Sequence, residues 1–350
     1  MKIDTTHLLS AIEDYIAKAD EDLRDTLESE GFVAASETVR HIGEIEDALE
    51  DVLDEDALEF LERVKEAEGV DEFLSVSWPD IKNEGDLEKA LYEIFRQKFD
   101  EMFRSFTFSW ILAEEPEIVE DISGEAIDTI TKPAEAFIKG WSGELSRIMN
   151  LNTKDSMEKM LLKAQKKSWT IDELAEAIGD SGIRNHGYRS RRVALTETLR
   201  VQSYAQQESM IQNPLAYSKR WKHIMSDNPR ENHIAMDGQE VFKREMFELT
   251  GRNGETYLVL CPRDTSLPAE ETVNCHCIME TVENENALGM TADEKKELRE
   301  KYIAEVNEEY EAWEQKFKND MGIEEPRDDS SVTWEIYNSY YEAYRKGEIA

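Results

Sequence analysis

Residues 256–282 read TYLVLCPRDTSLPAEETVNCHCIMETV. The two ends, Thr256 to Cys261 and Cys277 to Val282, are apolar or β-branched runs of strand length. Upstream lie turn signals at short spacing: Asp227-Asn228-Pro229, Asp237-Gly238, Gly251 and Gly254. This segment therefore reads as α+β. The rest of the chain carries helical periodicity, so the expected fold is mainly α with a small α+β module, flanked by long acidic helical arms.

All three cysteines, Cys261, Cys275 and Cys277, fall within one 17-residue window of a 350-residue chain. Three cysteines cannot frame a chain of this size with disulfides, so a reducing compartment is expected, and there such clustering argues for a metal. On a strand Cys275 and Cys277 point to one side and His276 to the other. In a tight turn the two thiols also converge. The expected strands end at Cys261 and begin at Cys275/Cys277, which lets three sulfurs meet. A closed tetrahedral zinc site needs a fourth ligand; His233, in the turn-rich segment, is the best candidate, with Asp227 or Asp237 to orient its second ring nitrogen. A Cys3His structural zinc is the expectation. Three buried thiols in a small β core are the alternative.

Catalytic templates fit less well. A zinc deaminase needs His-x-Glu and Pro-Cys-x-x-Cys, whereas Ile234 and Ala235 follow His233 and the cysteines are one residue apart. His-Glu-x-x-His and the Gly-x-x-x-x-Gly-Lys phosphate loop are absent. Asp227, Arg230, His233 and Asp237 assemble an acid, a base and a cation within 11 residues. That group suits phosphodiester hydrolysis, but turn capping and ion pairing explain it more simply.

Charge is partitioned along the chain. The whole carries −37, with −26 in residues 1–150, +3 in 151–263 and −14 in 264–350. So acidic a chain does not bind nucleic acid through its overall field, and an anionic membrane repels it. No apolar run is long enough to span a bilayer, and the start lacks a secretory pattern. A soluble, intracellularly made protein is expected.

In the first arm, apolar residues recur at three- and four-residue steps: Leu8 to Leu27, Val39 to Leu53, and Leu87 to Phe106. Breaks fall at Trp78-Pro79-Asp80, Glu115-Pro116 and Thr131-Lys132-Pro133. Thr170 and Glu173 form a capping-box pair, and Gly179 and Gly182 stop that short helix. A longer helix is expected from about Arg189 to Met210. The second arm reads as a helix over 292–321, then an aromatic stretch with Trp334, Tyr337, Tyr340, Tyr341 and Tyr344. Those aromatics suit either a partner protein or packing on their own chain. Residues 184–222 carry a net +6. Arg189, Arg191 and Arg192 are candidate phosphate contacts, against the simpler reading that such cations pair with the chain's own acids.

The order Arg192-x-Ala194-x-Thr196-Glu197-Thr198, Trp221, Asp227-x-x-Arg230-x-x-His233-x-x-x-Asp237-Gly238, and Asn274-Cys275-His276-Cys277 resembles the Mu F-like head morphogenesis (minor capsid) proteins of tailed phages. The likeness covers about residues 169–283. His276 stands where that family usually has Arg, and Cys261-Pro262 where an apolar or aromatic residue precedes proline, so Cys261 as a ligand is not the family's. Charge and periodicity together with the likeness divide the chain into three expected regions: 1–150, an acidic helical part; 151–283, the Mu F-like domain; and 284–350, the acidic C-terminal arm, the two acidic parts lying outside the likeness. The likeness implies a minor structural component of the virion, inside the head near the portal vertex and in the host cytoplasm during assembly. Such a protein contacts the portal or major capsid protein, oligomerises on that lattice, and in some members takes part in DNA contact or delivery. No catalysis is implied. Asp227, Arg230, His233 and Asp237 would scaffold the domain, and Cys275 and Cys277 would close it. A metal-supported nuclease or effector carried in the head, and an acidic scaffolding protein, are the alternatives.

Overall fold

The computed structural model describes residues 21–29, 35–73, 84–111, 129–167, 169–170, 172–174, 177, 186–224, 229–284, 289–323 and 329–349. The described fold is mainly helical with a small antiparallel sheet. None of its helices is long and apolar enough to cross a membrane. The first part of the Leu8–Leu27 stripe, the Trp78-Pro79-Asp80 and Glu115-Pro116 breaks, Gly179, Gly182 and Asp227 lie outside the described residues.

Two long helices, α1 (Ala35–Glu66) and α2 (Glu84–Ile111), bury the stripes expected of them. Ile42, Ile45 and Leu49 meet Leu87, Leu91, Phe95 and Phe103 in one apolar cluster. The pair is tied by the buried Lys98, whose ammonium binds Glu44 and, at 3.2 Å, Glu101. Partial burial would raise the Glu44 carboxyl, but Lys98 and Arg40 outweigh it and hold it at about 2. Helix α3 (Lys132–Lys167) begins where the third proline break was expected. Pro133 is tolerated there because first-turn amides have no partner within the helix.

Helix α4 (His186–Gln212) is the surprise of the fold. It starts and ends near the expected bounds, yet Thr196, Glu197, Thr198, Arg200, Gln202, Ser203, Gln207, Glu208, Ser209 and Gln212 are all buried. A helix enclosed all round is ordinarily apolar; this one has neighbours that satisfy much of its polarity. Glu208 accepts from the Thr131 amide (2.7 Å) and hydroxyl (3.0 Å), placing a carboxylate on the positive end of α3. Ser209 Oγ accepts from Trp110 Nε1 and meets Thr107 Oγ1, each at 3.0 Å. Trp141 Nε1 donates to Glu197 at 2.7 Å.

After α4 come β1 (Ala216–Lys222), α5 (Glu231–Ile234), β2 (Glu240–Phe242), the hairpin β3 (Phe247–Thr250)/β4 (Thr256–Val259), α6 (Ala269–Thr272) and β5 (Ile278–Glu283). The order of the main sheet is β2-β1-β5, antiparallel throughout, with Trp221 opposite Met279. The two strands expected from sequence both form, but in different sheets, since β4 pairs with β3. Strand β1 was hidden because its residues, AYSKRWK, read as part of a basic cluster.

Helices α7 (Ala292–Met321) and α8 (Ser330–Arg345) close the molecule. Thr291 and Glu294 form a capping box on α7, and Gly322 ends it at φ 67°. The aromatic stretch packs on its own chain: Tyr337 and Tyr340 are buried, Trp334 lies 5.5 Å from Trp141, and Tyr344 donates to the Arg244 carbonyl at 2.6 Å. One apolar cluster runs from Ile42 through Cys275 to Tyr340, across both acidic regions and the module.

The seat of α8 on α3 depends on two glycines. A Cβ at Gly140 would lie 2.9 Å from Trp334 Cα, and one at Gly143 2.2 Å from Ser330 Oγ. In an open helix Gly→Ala stabilises by about 1 kcal/mol; here overpacking of about 1–3 kcal/mol wins. Gly140→Ala is expected to lower the urea midpoint at unchanged slope. A raised midpoint would contradict the α3–α8 contact.

Candidate metal centre

The site grows from β1. Trp221 is fully buried at its end, with its edge toward His233 (centroids 6.3 Å, 89°) and Phe247 (5.3 Å, 84°). The chain returns through Asp237 and Gly238. Gly238 takes φ 79°, a conformation glycine adopts without strain, and its amide donates to the Trp221 carbonyl while the Trp221 amide donates to Gln239, both at 2.8 Å. Asp237 accepts from the His223 amide at 2.8 Å. It therefore caps a turn and is not the group that orients His233.

Glu271 is. Carried on α6, it is fully buried, and its Oε2 lies 3.0 Å from His233 Nε2. It also accepts from the Arg252 amide (2.8 Å) and Asn232 Nδ2 (3.0 Å). Burial alone would raise its carboxyl; these hydrogen bonds and His233 reverse that and hold it below the ordinary value. No spacing rule marks Glu271, which lies 38 residues from His233 and inside a run that reads as plain acidic surface.

The other ring nitrogen, Nδ1, faces both thiols: Cys275 Sγ at 3.5 Å and Cys277 Sγ at 3.6 Å. The three donor atoms lie within 4.8 Å of one another and all three residues are buried. Cys261 is not in the group. Its thiol is buried elsewhere and pushed up by that burial and by the Asp264 carboxylate. The expectation of three converging sulfurs assumed that β4 and β5 are neighbours, and they are not.

Arg263 and Arg230 hold the cysteine turn in place. Arg263, at φ 62° and 1% exposed, donates through Nη1 to the carbonyls of Cys275 (2.6 Å) and Cys277 (2.8 Å), and through Nη2 to Ser203 Oγ of α4 (2.5 Å). Arg230 donates to the carbonyls of Glu270 (2.9 Å) and Val273 (2.5 Å). Asn274 turns the chain at φ 55°, a left-handed conformation that asparagine tolerates. Between the thiols, a hydrogen bond from Cys277 draws Cys275 well below the ordinary thiol range against its burial. The same bond pushes Cys277 well above it.

Of the basic cluster, Arg200 pairs with Glu197 (3.1 Å), Arg220 with Glu240 (2.8 Å) and Lys222 with Glu280 (3.3 Å). Lys219 is fully buried, bound to Gln207 and the Leu260 carbonyl, and pushed down to about 7 by burial. Arg200, Arg220 and Lys222 thus meet acids of α4 and of the module, and Lys219 meets neutral acceptors. The side chains of Arg189, Arg191 and Arg192 lie outside the described residues.

The model of the family described as "Phage Mu protein F like protein" matches residues 155–280, a span that takes in α4, strands β1 to β4, the start of β5 and the whole His–Cys–Cys group. Uncharacterized protein YqbB of Bacillus subtilis (strain 168) is 30% identical over 318 residues, covering 86% of this chain and 99% of that protein. The chain belongs to the Mu protein F-like family, a phage head-morphogenesis family. No solved structure matches it. The family match stops short of α7 and α8, whereas the similarity to YqbB extends across most of the chain.

Arg263 is the residue on which this site leans most. Arg263→Ala strands two carbonyls and a hydroxyl in the interior, at about 1–3 kcal/mol each. A loss of about 3 kcal/mol or more is expected by chemical denaturation, and Arg263→Lys recovers only part of it because one ammonium cannot span all three acceptors. A change below about 0.5 kcal/mol in Arg263→Ala would remove the clamp from the account.

Proposed function

We propose that the chain is a minor structural protein of a tailed-virus head. It acts in head assembly, inside the particle near the portal vertex, and contacts the portal or major capsid protein without catalysing a reaction. Membership of a head-morphogenesis family carries this reading. The site supports the non-catalytic part. Arg230 and Asp237 are spent on backbone groups, and His233 is 2% exposed and engaged through both ring nitrogens. Among the described residues of the nuclease alternative, Arg230, His233 and Asp237 are thus committed to holding loops. An outer surface dominated by carboxylates suits a protein that works beside packaged DNA without adhering to it.

Peptide mass spectrometry on gradient-purified mature particles, scaled to the major capsid protein, tests the reading. A few to a few tens of copies per particle are expected. Presence in immature heads with loss from mature ones would replace it with the scaffolding alternative. Absence from both, together with metal-dependent cleavage of nucleic acid by the purified chain, would replace it with the enzyme.

A further inference from the structure

We infer that His233 Nδ1, Cys275 Sγ and Cys277 Sγ are three ligands of one zinc(II) ion that pins α5 to the cysteine turn, with Cys261 outside the set. The inference does not depend on the role in the virion, because it rests on distances, tautomer, charge and ligand type alone.

Distance comes first. Tetrahedral zinc, with Zn–N of about 2.0–2.1 Å and Zn–S of about 2.3 Å, sets nitrogen and sulfur ligands about 3.6 Å apart. Nδ1 lies 3.5 and 3.6 Å from the two sulfurs. The second argument is the tautomer. Nε2 faces the Glu271 carboxylate at 3.0 Å, which favours a ring proton on that nitrogen and leaves the Nδ1 lone pair for the sulfur side. One in-plane lone pair accepts one S–H hydrogen bond, yet two sulfurs stand at equal distance from it. A single cation on that lone pair accounts for both. Glu271 is then the outer carboxylate that metal-bound histidines usually have.

Charge and ligand type agree. As ligands of a metal the two sulfurs would be thiolates, and with Glu271 they would place three negative charges beside the Arg263 guanidinium. A divalent cation brings the group to neutrality, as burial of charge demands. Thiolate plus imidazole selects zinc over the hard cations. The buried indole of Trp221, beside the imidazole and turned to the Cys277 sulfur, also belongs to this shell. Among the described residues no fourth His, Cys, Asp or Glu joins the group. The ion closes a loop of some 40 residues between His233 and Cys275, so its binding free energy adds directly to folding.

The test uses the full chain purified from zinc-supplemented cells, with metal counted by inductively coupled plasma mass spectrometry. About one zinc per chain is expected in the wild type and in Cys261→Ser, and less than a tenth of that in His233→Ala or Cys277→Ser. Because a ligand variant can misfold, the wild type is also loaded with cobalt(II), where tetrahedral d–d bands and a sulfur charge-transfer band of two-thiolate intensity are expected. Glu271→Gln should keep the stoichiometry and lose about 10- to 100-fold in zinc affinity. A folded wild type with no zinc and no cobalt spectrum, a Cys275–Cys277 disulfide found by mass, or loss of zinc in Cys261→Ser would each overturn the inference.

Discussion

A polar helix enclosed by protein must find a partner for what it buries, and α4 imposes that constraint on much of the fold. An unmatched buried donor or acceptor costs about 1–3 kcal/mol, so the neighbours of α4 are chosen by hydrogen-bonding groups as much as by shape. Ser209 meets α2, Glu208 and Glu197 meet the start and middle of α3, and Gln212 accepts from Arg299 of α7 at 2.6 Å. On the module side Ser203 receives Arg263, Tyr204 meets Thr265, Gln206 donates to the Met279 carbonyl and Gln207 binds Lys219. Apolar packing alone tolerates sliding; a set of matched polar pairs fixes one register.

From Ser203 the constraint passes to the cysteine turn. Arg263 reaches from α4 to the carbonyls of Cys275 and Cys277, the thiols meet His233, and His233 meets Glu271. Each group in this chain orients the next. The sheet is small, with three short strands, and would be marginal as a separate unit. Its stability is borrowed from α4 on one side and from the His–Cys–Cys group on the other. Helices of the acidic regions share one apolar core with the module.

What was legible in the sequence follows from periodicity. Ile42 to Leu49 and Leu87 to Phe103 repeat at helical steps and are core; Thr170 with Glu173 and Thr291 with Glu294 form capping pairs. The convergence of His233 with Cys275 and Cys277 was legible because those residue types are rare in this chain. What stayed hidden depends on contacts between residues distant in sequence. Glu271 is one acid among 78 Asp and Glu. Lys219 in β1 reads as surface charge and is fully buried. The burial of α4 contradicts its own composition, and Cys261 was drawn into the metal set by a strand pairing that the topology does not make.

Native-state hydrogen exchange on the full chain tests the organising role of α4 most directly. If the account holds, the amides of residues 197–209 exchange slowest, only through global unfolding, and with the same denaturant dependence as the amides of β1 and of α3 near Phe137. Should α4 instead exchange by local opening, faster than the sheet and the α1–α2 pair, its buried polar contacts would not be what holds the molecule together.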